Sequence, residues 1–314
     1  TVERDQTTAR LTALNDGRRV TVGPADNQAI LPADVDDLAL VLQDNPQATI
    51  IAGATDVGLW VTKFLRPISP AVFVGHLDDL KRIHSDSDAL HIGAGVTYSE
   101  SEAAIAKAFP HLPEFGDRIA GWQLRNMGTI GGNSAKGSPI GDTPPVLIAL
   151  GATITLRHGD VSRDLLLEDY FVAYGKQDRA AGEFVQSIHI PLRPPDTIHA
   201  AYKISKRRDE DISSVAAGIS VTLTDNLITS CRIAFGGMAA TPKRASAAEA
   251  KLLDQPWGID VFDAAAEALA QDFAPLTDWR ASSEYRLLSA QNLIRRFFLE
   301  HDATTTGPVQ LASA

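Results

Sequence analysis

Two short stretches of the chain have the composition of anion-binding loops, Gly53-Ala54-Thr55-Asp56-Val57-Gly58 and Gly128-Thr129-Ile130-Gly131-Gly132-Asn133. Glycine lets backbone N–H groups approach an anion closely, and threonine adds a hydroxyl donor. The first loop follows Thr49-Ile50-Ile51-Ala52, a β-branched apolar run suited to a buried strand. Paired loops of this kind suit the pyrophosphate of a dinucleotide. The common nucleotide patterns do not fit. Gly53 and Gly58 have P-loop spacing, but Leu59-Trp60 stand where Lys-Ser/Thr is required; Gly93-Ala94-Gly95 opens like a dinucleotide fingerprint, but Tyr98 takes the third glycine position. Each loop taken singly is also compatible with an ordinary strand-to-helix turn.

The rest of the chain must supply a scaffold, and its 314 residues with 44% hydrophobic content are enough for two domains. A net charge of −10, with no Lys/Arg run longer than Lys206-Arg207-Arg208, argues against binding nucleic acid or anionic membrane. No apolar run approaches the ~20 residues that span a bilayer, and Thr1-Val2-Glu3-Arg4-Asp5 has no signal-peptide core, so a cytoplasmic protein is expected. Cys231 is the sole cysteine, which excludes an internal disulfide and a Cys-ligated zinc or iron–sulfur site within this chain. Its strand-like surroundings predict a buried core thiol. The eight histidines are dispersed, and no metal site is expected. Without an initiator Met, the chain reads as a fragment or processed product, with a polar linker over 1–20.

Hydrophobic periodicity predicts a helix over 35–43, strands over 49–52, 71–75 and 89–93, and helices over 99–108 and 112–119. A short buried helix over 144–150 and strands over 152–157 and 184–190 follow, stopped by Pro191, Pro194 and Pro195. That proline cluster divides a first domain, 21–195, from a second, 196–302. The second has strands near 198–205, 215–223 and 227–235, then helices near 243–253, 261–272 and 284–300, an α+β order. The last helix presents Leu287, Leu288, Leu293, Ile294, Phe297 and Phe298 as a core stripe. Residues 303–314 read as a flexible tail.

In this order and spacing, three stretches carry a resemblance that covers nearly the whole chain. They are Ala52-Gly53-Ala54-Thr55-Asp56-Val57-Gly58, Thr129-Ile130-Gly131-Gly132-Asn133 with Ser138-Pro139-Ile140-Gly141-Asp142, and Lys203 to Ile212. The chain resembles the FAD-binding region of bacterial xanthine dehydrogenases, within the molybdenum hydroxylase family. Carbon monoxide dehydrogenase flavoproteins usually carry Ala-Gly-Gly followed by Gln or His and Ser in the first loop, so Ala-Thr-Asp favours the xanthine dehydrogenase side. The resemblance implies an α+β protein: a two-subdomain FAD-binding fold of the vanillyl-alcohol-oxidase/PCMH type, followed by a smaller α+β domain.

It also implies site roles. Ile50, Ile51, Ala52, Gly53, Ala54, Thr55, Asp56 and Val57, with Thr129, Ile130, Gly131, Gly132 and Asn133, would surround FAD, their amides and the two threonine hydroxyls holding its pyrophosphate. Asp142 would accept from a ribose or ribityl hydroxyl, with helix capping as the alternative for it and for Asp56. Ile119 and Val185 would lie against the FAD rings, or simply in the core; relatives often have an aromatic at the Ile119 position. Lys203 would meet the FAD and Glu210 the isoalloxazine, with Arg207 and Arg208 in a charge network tuning the flavin. Relatives more often have Asp at the Glu210 position, and a solvated charged turn is the alternative for this segment.

What the resemblance implies for function is electron transfer. Reduced FAD would pass hydride from N5 to NAD+, its co-substrate, during hypoxanthine and xanthine oxidation to urate. Electrons would arrive from iron–sulfur clusters, and purine oxidation would occur at a molybdenum cofactor, both on other chains or domains. The implied partners are a molybdenum-cofactor-binding large subunit and upstream iron–sulfur domains in a hetero-oligomer. Two alternatives stand beside this reading: the flavoprotein subunit of a carbon monoxide, nicotine or aldehyde-type hydroxylase with a non-NAD acceptor, and a cofactor-free structural subunit.

Overall fold

The computed structural model describes residues 3–14 and 16–302. The expected tail over 303–314 lies outside the described residues. Within the segment read as a linker, Arg4–Thr12 forms a helix that buries no residue, and Val20–Val22 already pairs with Ala29–Leu31 as the first hairpin of the domain.

The first domain has two subdomains. In one, Ala29–Leu31, Ala71–Phe73 and Thr49–Ile51 run parallel, with Val20–Val22 antiparallel at the edge. The Val35–Asp44 helix covers this sheet. Asp34 caps it by accepting the Asp37 N–H at 2.7 Å, and Leu38, Val41 and Leu42 point inward at helical spacing. The other subdomain is a five-stranded antiparallel sheet with Ile83–Ser85, Ala89–Gly93, Phe184–Pro191, Thr153–His158 and Val161–Leu166 in that order. The chain reaches its central strand last, so Phe184 and Val185 return beside elements laid down about a hundred residues earlier. Phe184 joins the core of the first subdomain and Val185 that of the second.

The expected helix over 112–119 is shorter, Pro113–Asp117, and a further helix, Trp122–Met127, leads directly into the second glycine loop. Ala120 separates them with φ +50°, a left-handed conformation that stops one helix before the next begins. An alanine carries no sequence signal for such a break.

In the second domain, Thr197–Ile204, Val215–Thr224, Leu227–Gly236 and the short Lys243–Arg244 form an antiparallel sheet. Lys243–Arg244 falls where a helix was expected to start; the helix itself is Ser246–Leu252. With Ile259–Asp272 and Ser283–His301 it encloses a core containing Phe235, Phe262, Phe297 and Cys231. Burial pushes the Cys231 thiol pKa up, so it is an inert packed group. On the last helix Leu288 faces outward, 56% exposed, and Arg286 and Ala290 take buried positions. Arg286 is held there by the carbonyls of Ser214 and Gly237 and by Asp278.

The two domains are packed along the Thr143–Ala149 helix. Gly218 lies where a Cβ would come 2.6 Å from the Pro145 carbonyl oxygen, and Arg232 Nε donates to the Ile148 carbonyl at 2.9 Å. A histidine pair adds to this interface. Arg193 Nη2 lies 3.4 Å from His111 Nδ1, and His111 Nε2 lies 2.6 Å from His199 Nδ1. An arginine can only donate, so His111 carries its proton on Nε2 and donates it in a hydrogen bond to His199 Nδ1.

Candidate functional site

Both glycine loops open into one cavity of about 980 Å³, between the two subdomains and closed on one side by residues 210–212 of the second domain. That is the upper end of the usual range for small-molecule sites. The loops touch each other as well. A Cβ on Gly53 would fall on the Met127 carbonyl, and one on Gly128 would lie 3.5 Å from Thr55 Oγ1. Gly131 is likewise pressed against Ala94, whereas Gly58 has open space. Glycine is required at 53 and 131 so that backbone can meet its neighbour, and the contact at 53 brings the two loops into one cradle.

The amides of Gly53, Ala54, Thr55 and Asp56 have no acceptor among the described residues. They are four consecutive unused donors at the cavity wall. The second loop is more committed. Ile130 N–H donates to the Val96 carbonyl, Gly132 N–H to Thr129 Oγ1 at 2.9 Å and Asn133 N–H to the Thr129 carbonyl, leaving Gly131 of the four. Thr129 is the N-cap of the Ile130–Lys136 helix, so its oxygen accepts within the protein and its hydroxyl hydrogen remains to donate. Asn133 Oδ1 is buried at the cavity with no partner, an orphan that a ligand donor would satisfy.

Asp56 makes no capping bond; it pairs with Lys136 at 2.7 Å across the two loops, and Lys136 also lies 4.8 Å from the centre of the Trp60 ring. Asp142 caps nothing either. Its Oδ2 accepts from Lys203 Nζ at 2.6 Å and its Oδ1 from Ser213 Oγ at 2.5 Å. The carboxylate still borders the cavity, and each oxygen retains a lone pair.

Of the residues read from the sequence, Ile50, Ala52 to Val57, Thr129, Gly131 to Asn133, Asp142, Ile119, Val185 and Glu210 line the cavity. Five do not. Ile51 is buried away from it, and Ile130 packs in the core of the second subdomain. Lys203 is fully buried behind Asp142. Arg207 and Arg208 are exposed on the loop, where Arg207 bonds the Glu210 carbonyl and Asp211. Wall residues missed in the sequence include Ala120, Gly121, Leu124, Lys136, Arg179 and Ile212. Lys136 could have been found from its place one turn after Gly132 on the same helix; the others carry no local pattern.

Three wall residues other than glycine, Ala54, Ala120 and Glu210, have positive φ, between +50° and +59°. Each costs roughly 1–2 kcal/mol, and their concentration at one cavity marks a functional site. Glu210 in that conformation reaches Gly121, where a Cβ would sit 2.6 Å from Glu210 Oε1. Tyr98 closes the wall, its buried hydroxyl 2.8 Å from Thr143 Oγ1, and burial pushes its pKa up so that it stays neutral.

Such a cavity, with unused amides on one loop, an orphaned amide oxygen on the other and an apolar wall from Ile50, Ile119 and Val185, defines a site for a phosphate-bearing dinucleotide. Known proteins make this specific. Residues 25–193 match the FAD binding domain in molybdopterin dehydrogenase, and residues 200–301 match the CO dehydrogenase flavoprotein C-terminal domain. The xanthine dehydrogenase FAD-binding subunit of Escherichia coli O157:H7 is 28% identical over 282 residues, covering 88% of this chain and 97% of that protein. Nicotinate hydroxylase of Emericella nidulans is 30% identical over 300 residues, covering 88% of this chain but 22% of that protein. A carbon monoxide dehydrogenase structure from Hydrogenophaga pseudoflava has a TM-score of 0.80 at 25% identity, covering 88% of this chain and 96% of that one. The chain belongs to the family of FAD-binding domains in molybdopterin dehydrogenases, and is an FAD-dependent oxidoreductase component of the molybdenum hydroxylase kind.

The two-subdomain FAD-binding fold with a following C-terminal domain agrees with the sequence reading. Among the described residues there is no group of three or more His, Cys, Asp or Glu placed to hold a metal, and no helix long and apolar enough to cross a membrane.

Proposed function

We propose that this chain is the FAD-carrying electron-transfer part of a xanthine dehydrogenase, receiving electrons from iron–sulfur clusters outside it and delivering them to NAD+. The observation that carries the FAD half is the set of free amides at Gly53 to Asp56 lining one cavity together with the orphaned Asn133 oxygen. Bound FAD would supply the redox chemistry, taking electrons singly and releasing them as hydride, which no side chain here can do.

The chain's residues bind and tune. The first-loop amides, the Gly131 amide and the Thr129 hydroxyl donate to the pyrophosphate, and Asp142 accepts from a sugar or ribityl hydroxyl. Ile119 and Val185 exclude water from the rings. Glu210 brings a carboxylate to the wall and disfavours added electrons there, while Arg207 and Arg208 act from the loop, Arg207 by holding the Glu210 carbonyl. Partners carrying the molybdenum cofactor and the iron–sulfur clusters complete a cytoplasmic hetero-oligomer. The FAD-binding subunit name of the E. coli relative supports this reading.

A second reading is favoured by the similarity to nicotinate hydroxylase, at 30% identity, and to the carbon monoxide dehydrogenase fold. On this reading the same FAD site serves another substrate and an acceptor other than NAD+. Anaerobic addition of NADH to the FAD-loaded chain separates the two. Bleaching of the visible flavin band supports NAD+ as acceptor; an unbleached band, with reduction by dithionite intact, supports the second reading.

A further inference from the structure

Arg118 and Lys203 form a reciprocal clasp between the two domains. Lys203 Nζ donates to the Arg118 carbonyl at 2.9 Å, and Arg118 Nη1 donates back to the Lys203 carbonyl at 2.7 Å. Arg118 also reaches Ser205 Oγ at 3.2 Å and the Arg208 carbonyl at 3.5 Å. It therefore holds both the end of the Thr197–Ile204 strand and the start of the loop that presents Glu210 to the cavity. Ile119, Ala120 and Gly121, the next residues after Arg118, are cavity wall.

The same ammonium fixes Asp142. Lys203 has no exposed side-chain surface, does not line the cavity, and spends its ammonium on two bonds, to the Arg118 carbonyl and to Asp142. With Ser213 on the other carboxylate oxygen, both oxygens of Asp142 are held by donors from the second domain. A buried ammonium needs its carboxylate, and a carboxylate bonded at both oxygens has one orientation.

We infer that Lys203 is a positioning residue, which aims Asp142 and seats the 118–121 wall without touching the flavin, and that Ser213 and Arg118 complete the device. The second domain thus sets the geometry of a site whose loops belong almost entirely to the first. This inference rests on the assignment of the cavity to FAD.

The test uses the full chain and four variants, Lys203→Met, Asp142→Asn, the two combined, and Ser213→Ala. FAD affinity is read by quenching of free FAD fluorescence, and the bound state by visible circular dichroism of the flavin. Residues acting through one carboxylate are not additive. Lys203→Met is expected to weaken FAD binding by about tenfold or more and to change the flavin dichroism, with the double variant no weaker than the weaker single one. Ser213→Ala, which leaves the ion pair and the fold in place, should change the dichroism in the same sense with a smaller loss of roughly threefold, because Lys203 still holds the other carboxylate oxygen. Independent, multiplying effects of Lys203→Met and Asp142→Asn would overturn the inference. So would unchanged affinity and dichroism in Ser213→Ala and Lys203→Met, and Ser213→Ala alone decides if Lys203→Met does not fold. A wild-type chain that binds no FAD overturns the cavity assignment itself, whereas normal binding by all variants overturns only the clasp.

Discussion

Gly53 meets Met127 so closely that a Cβ on the glycine would coincide with the Met127 carbonyl. This contact joins the two loops of the cradle, and neither backbone can yield without opening it. Gly53→Ala should therefore weaken FAD binding by at least about tenfold, or ~1.4 kcal/mol. Gly58→Ala is the matched control. It sits in the Val57–Thr62 helix with open space around it, so it should keep FAD affinity and stabilise the chain by about 0.5–1 kcal/mol. Fluorescence titration and thermal melts of both variants check the contrast.

Thr129 has two duties, as N-cap acceptor for Gly132 N–H and as hydroxyl donor to the ligand. Thr129→Val removes both and should cost about 1 kcal/mol of stability together with a loss of FAD affinity. Thr129→Ser keeps the hydroxyl and should restore most of each. Equal behaviour of the two variants would show that the hydroxyl does neither task.

Glu210 brings the negative charge of its side chain to the wall beside Gly121. Removing that charge should make the reduced flavin easier to form. Glu210→Gln is expected to raise the two-electron midpoint potential by roughly 20–40 mV, measured by dye-equilibrated spectroelectrochemistry. An unchanged or lower potential would remove Glu210 from flavin tuning.

The legibility of the site in the sequence depended on what each residue does in the fold. Thr55, Thr129 and the glycines were visible because composition alone marks a loop that brings donors to an anion. Their reason was only half visible: the glycine at 53 answers to Met127, 74 residues away, which no local pattern records. Ile130 was read as a donor because it sits inside the motif, yet Val96 already takes its amide. The FAD contact of Lys203 is an implication of the resemblance, and no local pattern records that its ammonium bonds Asp142 across the domain boundary. Ala54 and Ala120 adopt left-handed backbone without the glycine that usually announces it. Strands and helices with a clean period, such as Ala89–Gly93 and Ser283–His301, were placed to within a residue. The Trp122–Met127 helix was not, since it buries none of its residues and so shows no apolar stripe.

The His111–His199 pair gives the domain interface a pH dependence. Burial, then the charge of Arg193, lowers the His111 pKa to about 4, and burial with the charge of His111 lowers that of His199 well below the ordinary value. His301 adds to the same repulsion on both. The folded state prefers neutral imidazoles, so the unfolded chain binds more protons once the pH drops below about 6.5. Stability from this pair is complete above that pH and is lost progressively down to about 4, where His111 charges in the folded state as well. Thermal melts across that window should show a falling midpoint, and His111→Gln should flatten the fall. A midpoint independent of pH between 6.5 and 4 would contradict this reading.

The central claim is that the cavity between the two subdomains is an FAD site built on the Gly53 to Asp56 amides. Titration of the flavin-free chain with FAD, followed by the visible spectrum and by fluorescence quenching, tests it most directly. The account predicts saturation at one FAD per chain, a resolved protein-bound flavin spectrum, and loss of tight binding in Gly53→Ala but not in Gly58→Ala. A folded wild-type chain that leaves FAD free in solution, or that binds it equally well with alanine at position 53, would contradict the account.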